Sequence, residues 1–479
     1  MEYGKFIIEA LGQTRASMLQ KLEKYLFYIF LFSIPFQMRK ILWYSGWRFN
    51  EWQSISVYFT DLLFAALFLF WCFNLFPKLS NDVLRIKYYG NELKTVIHNT
   101  KFIIRNSSFY LITFLLISAV SIKNSSNPAI SWFQWLKLLE FSALYFYLSR
   151  YAFAKFGLIS VFSAILAGGF LQAIIAIAQF LKQSSIGLKY LGESIINSDL
   201  LGIASFYLSD GEKIIRAYGT FPHPNVLAGY LFLVLCIMYY VLWKRYKTDT
   251  IYSILIVAYP FILFSFFLTF SRVGILAWAA AFLAGILIYH KSYPEEIKKI
   301  FVITVIVSGL FAILYWPEIL GRLTVASDDD GLLVRKYYTE EVLKSDINFF
   351  GVGIGNFVNW LMEQNPMQTH WFYQPVHNIY LLIYSETGLL GLIAFVLFVL
   401  FLVKDFVKKT KLEKFSRFSV LVFFCSFLFI GFFDHFLWTL QQGRLMFWSS
   451  LGLLTPHLCE DLRLSRFSKE RSSKGGRII

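Results

Sequence analysis

Residues 375–392, P-V-H-N-I-Y-L-L-I-Y-S-E-T-G-L-L-G-L, turn from a polar loop into an apolar helix at a histidine, His377. The apolar run continues to about residue 403, more than the ~20 residues a helix needs to cross the hydrocarbon core of a bilayer. A titratable imidazole therefore stands where a span meets the membrane surface. It is the side chain best suited to moving protons near neutral pH.

The rest of the chain follows the same pattern. Hydrophobic residues fill 57% of 479 positions and charged ones only 16%, with 53 Phe and 28 Tyr, and the apolar residues come in long runs instead of stripes. The predicted fold class is all-α: a polytopic integral membrane protein of about twelve transmembrane helices with a large extracytoplasmic loop carrying short helices. The expected spans are 25–44, 57–76, 108–122, 129–148, 156–181, 226–243, 251–270, 273–289, 299–316, 377–403, 417–437 and 443–458, which together make a membrane domain over 25–458. A closed barrel would need an alternation that is absent.

Lysine and arginine set the orientation. With a cytoplasmic N-terminus, the inside segments and the span ends next to them hold 30 of the 45 basic residues and the outside segments with theirs 14, Lys137 lying deep within a span. Both termini are therefore predicted to be cytoplasmic. The net charge of +15 reads as anchoring to anionic membrane lipids, with no nucleic-acid partner implied. Residues 1–24 are too charged for a cleavable signal peptide and read as a cytoplasmic interfacial helix. Residues 459–479 read as a basic cytoplasmic tail. Cys72, Cys236, Cys425 and Cys459 form neither a disulfide pattern nor a metal site.

Two outside loops are long enough to build a site. The first, 182–225, closes on R-A-Y-G-T-F-P-H-P-N, from Arg216 through His223 to Asn225; the second, 317–376, passes D-D-D-G at 328–331 and G-V-G-I-G-N at 351–356 before His377. Between them a tight turn, T-F-S-R-V-G at 269–274, joins two spans. Its Arg272 has apolar neighbours and cannot shed its proton, so it must snorkel, pair with an acid or bind an anion.

These motifs, G-T-F-P-H-P-N after an arginine, S-R-x-G, G-x-G-x-G-N and H-N-x7-E-x-G-x-x-G, resemble in content and order the O-antigen ligase and polymerase superfamily of bacterial envelope glycosyltransferases. The resemblance spans about residues 210–450. It implies transfer of a glycan from undecaprenyl pyrophosphate to an acceptor hydroxyl on the outer face of the bacterial cytoplasmic membrane, with no cofactor, no metal and inversion at the anomeric centre. The acceptor would be a glycan, a lipid or a protein. Arg216 and Arg272 would hold the pyrophosphate and His377 would be the general base. Arginine forks match phosphate oxygens, and a leaving group this good needs charge neutralisation more than a proton. Within the superfamily a repeat-unit polymerase would share these residues; a transporter of small anions is the reading from another class.

Supporting candidates are His223, Asn378, Tyr380 and Tyr384, each with a plainer role as turn residue or interfacial aromatic, and Asp434 and His435, with Arg444, as candidates for the acceptor side. Glu386 lies about 180° round the helix from His377 and is either functional or packed against a polar neighbour. Gly388 and Gly391 read as allowing close helix contact. The Asp328/Asp330 pair reads as helix capping; Arg335 and Lys336 could reach an anionic glycan, but a solvated face is the plainer role. Lys137 and Glu140 have the spacing of an ion pair. Asp61 and Arg444 stand near the outer ends of their spans.

Overall fold

The computed structural model describes residues 2–46, 48–88, 106–243, 249–324, 330–369, 372–410 and 412–454, with backbone alone at 2–17, 74–88, 249, 324 and 330. The predicted tail 459–479, Cys459 and Asp328 lie outside the described residues.

Helices dominate. In chain order they are α1 (Glu2–Ser33), α2 (Phe59–Tyr88), α3 (Ser107–Ser121), α4 (Pro128–Tyr147), α5 (Leu158–Lys182), α6 (Pro224–Trp243), α7 (Asp249–Phe267) and α8 (Arg272–Tyr289). There follow α9 (Pro294–Leu314), α10 (Trp316–Thr324), α11 (Asp330–Lys344), α12 (Phe357–Gln364), α13 (Ile379–Lys409), α14 (Lys414–Gly431) and α15 (Gln441–Leu453). Eight helices among the described residues are long and apolar enough to cross a membrane, and Phe59–Phe73 is a shorter apolar one. The other expected spans are less clear-cut: α4 carries Lys137 and Glu140, the first half of α1 is charged, and α15 is described over 13 residues only. The centre of the bundle is α6, almost every residue of which is buried.

Two small hairpins depart from the all-α expectation. The span expected at 25–44 stops at Ser33, and β1 (Arg39–Tyr44) pairs antiparallel with β2 (Ser54–Tyr58), Arg39 opposite Tyr58. Pro35 ends the helix, and the I-L-W-Y run that follows suits a strand as well as a helix. The second hairpin, β3 (Ser205–Tyr207) with β4 (Lys213–Ile215), leads straight to Arg216.

Helix α13 is not continuous. Gly388 has φ 72° and ψ −177°, which breaks the ladder and frees carbonyls. The glycine-rich loop replaces the lost partners: Val352 N donates to Ser385 O at 2.8 Å and Gly353 N to Glu386 O at 3.0 Å. A Cβ on Gly388 would stand 2.0 Å from Phe349 O, so this glycine serves a loop-to-helix junction and not the helix contact expected of it. The Glu386 carboxylate completes the junction, accepting from Gly355 N, Phe357 N and the Trp438 indole. That is the packed reading of Glu386.

Candidate active site

The Arg216 loop is held from below by two glutamines. Gln172 and Gln179, seven residues apart on one face of α5, are both buried. Gln179 Oε1 accepts from Gly219 N at 2.8 Å and its Nε2 donates to Gly219 O at 2.9 Å; Gln172 Oε1 accepts from Thr220 N at 2.9 Å. Amides in a lipid-embedded helix need partners, and here the turn supplies them. Gly219, at φ +62° with Gln172 Oε1 2.5 Å from where its Cβ would be, admits no side chain.

The S-R turn lies against this loop. Ala217 N donates to Leu268 O at 3.1 Å and Arg216 Nε donates to Thr269 O at 2.6 Å. Phe270 has φ +46°, a strained backbone for an aromatic residue. Its ring is fixed by Phe206 at 4.9 Å and Phe311 at 5.6 Å, packing that holds the strained conformation in place. Ser271 caps α8, with Oγ accepting from Gly274 N at 3.4 Å, and half-buried Arg272 is the first helical residue.

Arg216 is itself buried. Its Nη2 donates to Asn225 Oδ1 at 2.6 Å, and Asn225 Nδ2 donates to Asp434 Oδ2 at 2.7 Å. Two of the five guanidinium N–H groups are thus used in orientation, which leaves one edge for another ligand. Asn225 N also donates to His223 Nδ1 at 3.1 Å, fixing that ring's acceptor nitrogen.

Asp434 leads to the histidines. The His435 ring centroid is 4.8 Å from that of His377, at 73°. His435 Nδ1 shares a hydrogen bond of 2.7 Å with Thr439 Oγ1, and Trp52 meets its ring edge-on at 5.1 Å. Tyr338 of α11 lies parallel to the His377 ring at 6.2 Å, its hydroxyl anchored on Phe372 O. His377 Nδ1 is buried without a hydrogen-bond partner among the described residues.

Charge in the cluster is strongly positive. Burial, helped by Arg322 and Arg335 and opposed by Tyr218 and Asp434, pushes Arg216 down to about 9. Burial and Arg216 push His223 down to about 3. Burial, against the pull of Asp434, brings His435 to about 4, and burial with His435 and Arg335 holds His377 well below the ordinary histidine value. For Asp434 burial acts upward, but His435, His377, Arg335 and His223 outweigh it and keep the carboxyl far below the carboxylate range. Among the described residues the cluster therefore holds, at neutral pH, three neutral imidazoles and the Asp434 carboxylate, with Arg216 and Arg335 supplying positive charge.

The structure thus brings together Arg216, His223, His377, Asp434 and His435, and seats Arg272 on the turn that holds Arg216. Asn378 is the cap of α13, accepting from Tyr380 N at 2.9 Å and Leu381 N at 3.0 Å. Tyr380 points to α14, donating to Leu428 O at 2.8 Å with its ring 4.3 Å from Phe432. Tyr384 is half-buried among apolar neighbours. Arg444 donates to Trp438 O at 2.5 Å and Gln134 Oε1 at 2.7 Å, as a clamp on the α15 end. Sequence reasoning missed Asn225, Tyr338, Gln172 and Gln179 as site residues and read Arg335 as solvated. The two glutamines had a signal, being the polar residues on one face of an apolar helix.

Residues 257–396 match the family described as O-Antigen ligase. This stretch belongs to the O-antigen ligase superfamily. The match takes in Arg272 and His377 and stops short of Arg216, Asp434 and His435, which join it only through the fold. The matched stretch includes α8, α9 and most of α13, three of the helices long and apolar enough to cross a membrane. A comparison with curated proteins finds no match.

Proposed function

We propose that the chain is a glycosyltransferase that moves a glycan from undecaprenyl pyrophosphate to an acceptor hydroxyl on the outer face of the cytoplasmic membrane, with both termini cytoplasmic. Arg216, with Arg272 beside it, takes the pyrophosphate; Arg335 on α11 adds positive charge. His377 receives the acceptor proton. The hydroxyl oxygen attacks the anomeric carbon as the C–O bond to the pyrophosphate breaks, the bonding pair leaves with the phosphate oxygen, and a single displacement inverts the centre. No metal enters this scheme, because guanidinium groups neutralise the leaving charge.

The observation that carries the reading is the buried, unpartnered Nδ1 of His377 inside a positive field. A low pKa in the empty site keeps the imidazole neutral, and an arriving pyrophosphate, being anionic, raises its basicity when it is needed. Asp434 acts at one remove: it orients Asn225, and Asn225 orients Arg216.

The test is His377→Ala in a reconstituted assay with lipid-linked glycan. Transfer should fall about 10²–10⁴-fold, the usual contribution of a general base, while the donor still binds. Undiminished transfer removes the proposed base. Repeat-unit polymerisation uses the same site with another lipid-linked glycan as acceptor, and what collects on the carrier after gene deletion separates the two: finished polymer for a ligase, single units for a polymerase.

A further inference from the structure

A polar groove lies apart from the arginine cluster, between the start of α4 and the loop 345–364 of the large outer segment. Its volume is about 330 Å³, at the small end of the ~300–1,000 Å³ range of small-molecule sites. The wall carries Asn124, Asn348, Gln364, Asp346 and Glu363, and among the described residues Trp360 is its one aromatic ring and no Lys, Arg or His lines it. The floor is backbone of Gly351 and Val352, the segment that docks on Ser385 and Glu386 of α13. Asn124 Nδ2 donates to Gly351 O at 2.9 Å and Asn348 Oδ1 accepts from Phe350 N at 2.8 Å, so the amides are held in place while Asp346, Asn348, Glu363 and Gln364 remain open to solvent.

Planar amides and carboxylates pair with neighbouring hydroxyls of a sugar, and an indole face covers the apolar side of the ring. Two carboxylates without a balancing cation repel an anionic ligand. We infer that this groove is a subsite for uncharged sugar residues of the glycan, separate from the pocket that takes the pyrophosphate. The inference rests on the transferase reading and adds to it a substrate class: the sugars seated here bear no carboxylate, phosphate or sulfate. Charge sorts the two ends of the substrate, the diphosphate to the guanidinium groups and the neutral chain to the acidic groove.

The full-length protein in nanodiscs is titrated with maltotriose and chitotriose, and with trigalacturonate as the anionic counterpart, followed by saturation-transfer difference NMR. At least one neutral trisaccharide should bind in preference to trigalacturonate, and Trp360→Ala should weaken it about ten-fold or more. Trp360→Phe, which keeps a ring, should retain most of the binding and shows that the fold persists. Asp346→Asn with Glu363→Gln should narrow the preference against trigalacturonate. Binding that ignores Trp360→Ala, equal affinity for trigalacturonate, or no binding of either neutral sugar overturns the subsite. Failure of the transferase reading looks different: wild-type protein binds neutral sugar, yet neither it nor His377→Ala transfers glycan.

Discussion

Two buried ionic clusters sit in this molecule, and they differ in how completely their bonds are made. In the first, Lys137 Nζ lies 2.7 Å from Asp61 Oδ2 and 2.8 Å from Glu140 Oε2. Asp61 also accepts from Tyr58 N at 3.0 Å and Gln441 Nε2 at 2.5 Å. Each charge there has its partner within the bundle, tying α2, α4 and α15 together. In the second, around Arg216 and His377, positive neighbours hold the Asp434 carboxyl down, and among the described residues the His377 Nδ1 has no partner. The closed network joins helices; the open one has capacity left for an anionic group and for a hydroxyl that can give up a proton.

The sharpest way to break this contrast is to remove one member of the closed network. Lys137→Ala leaves two carboxylates facing each other in a low-dielectric interior and should cost about 3–5 kcal/mol of stability, read as a drop in melting temperature and in yield from the membrane. Combining Lys137→Met with Asp61→Asn and Glu140→Gln should restore most of the loss, because the uncompensated charge is gone. A Lys137→Ala variant that melts like wild type but transfers no glycan would move this cluster from scaffold to mechanism.

Acidification separates the clusters next. His223 and His435 have folded values of about 3 and about 4, against an ordinary ~6.5 in the unfolded chain. The unfolded state then binds more protons than the native state below about pH 6.5, so stability falls as pH falls. His377 shifts the same way. Between pH 6.5 and 5 His223 and His435 should together lose roughly 3 kcal/mol, to which His377 adds, and bound pyrophosphate should reduce the loss by favouring the charged imidazoles. A melting temperature flat over this range would show that the three rings are not neutral in the fold.

Eight of the expected spans, and the residues where loop meets helix that the fold draws together, Arg216, His377, Asp434 and His435, were legible because an isolated charge beside an apolar run stands out in one dimension. What holds them was not. Asn225 bridges Arg216 to Asp434 across 209 positions of chain, and such a pairing leaves no local mark. The β1–β2 hairpin was hidden for a different reason: R-K-I-L-W-Y extends an apolar run, and periodicity cannot tell a short strand from the end of a span. The G-x-G-x-G-N loop and Gly388 were visible as motifs, but their mutual docking needed the broken helix to be seen.

Arg335 tests how far the open cluster extends. It contributes positive charge at Arg216, His223, His377 and Asp434 from a half-buried place on α11. Arg335→Gln should raise KM for the lipid-linked donor about ten-fold, near 1.4 kcal/mol, with a smaller effect on kcat. It should also shift the acid limb of the pH profile upward, since removing a cation raises the imidazole pKa values. A donor KM unchanged in the variant would confine the pyrophosphate site to the α6 and α8 side.

Tyr380 defines the other limit. It stands three residues from His377, yet its hydroxyl donates to Leu428 O and its ring rests on Phe432, so proximity in sequence gives it no share in the site. Tyr380→Phe removes one hydrogen bond and should cost about 1 kcal/mol of stability. Transfer per folded molecule, measured with the variant and wild type at matched folded fraction, should be the same. A fall in kcat at constant stability would mean that the α13–α14 contact sets the position of His377, and the open cluster would then depend on α14 as well as on the loops that meet at its rim.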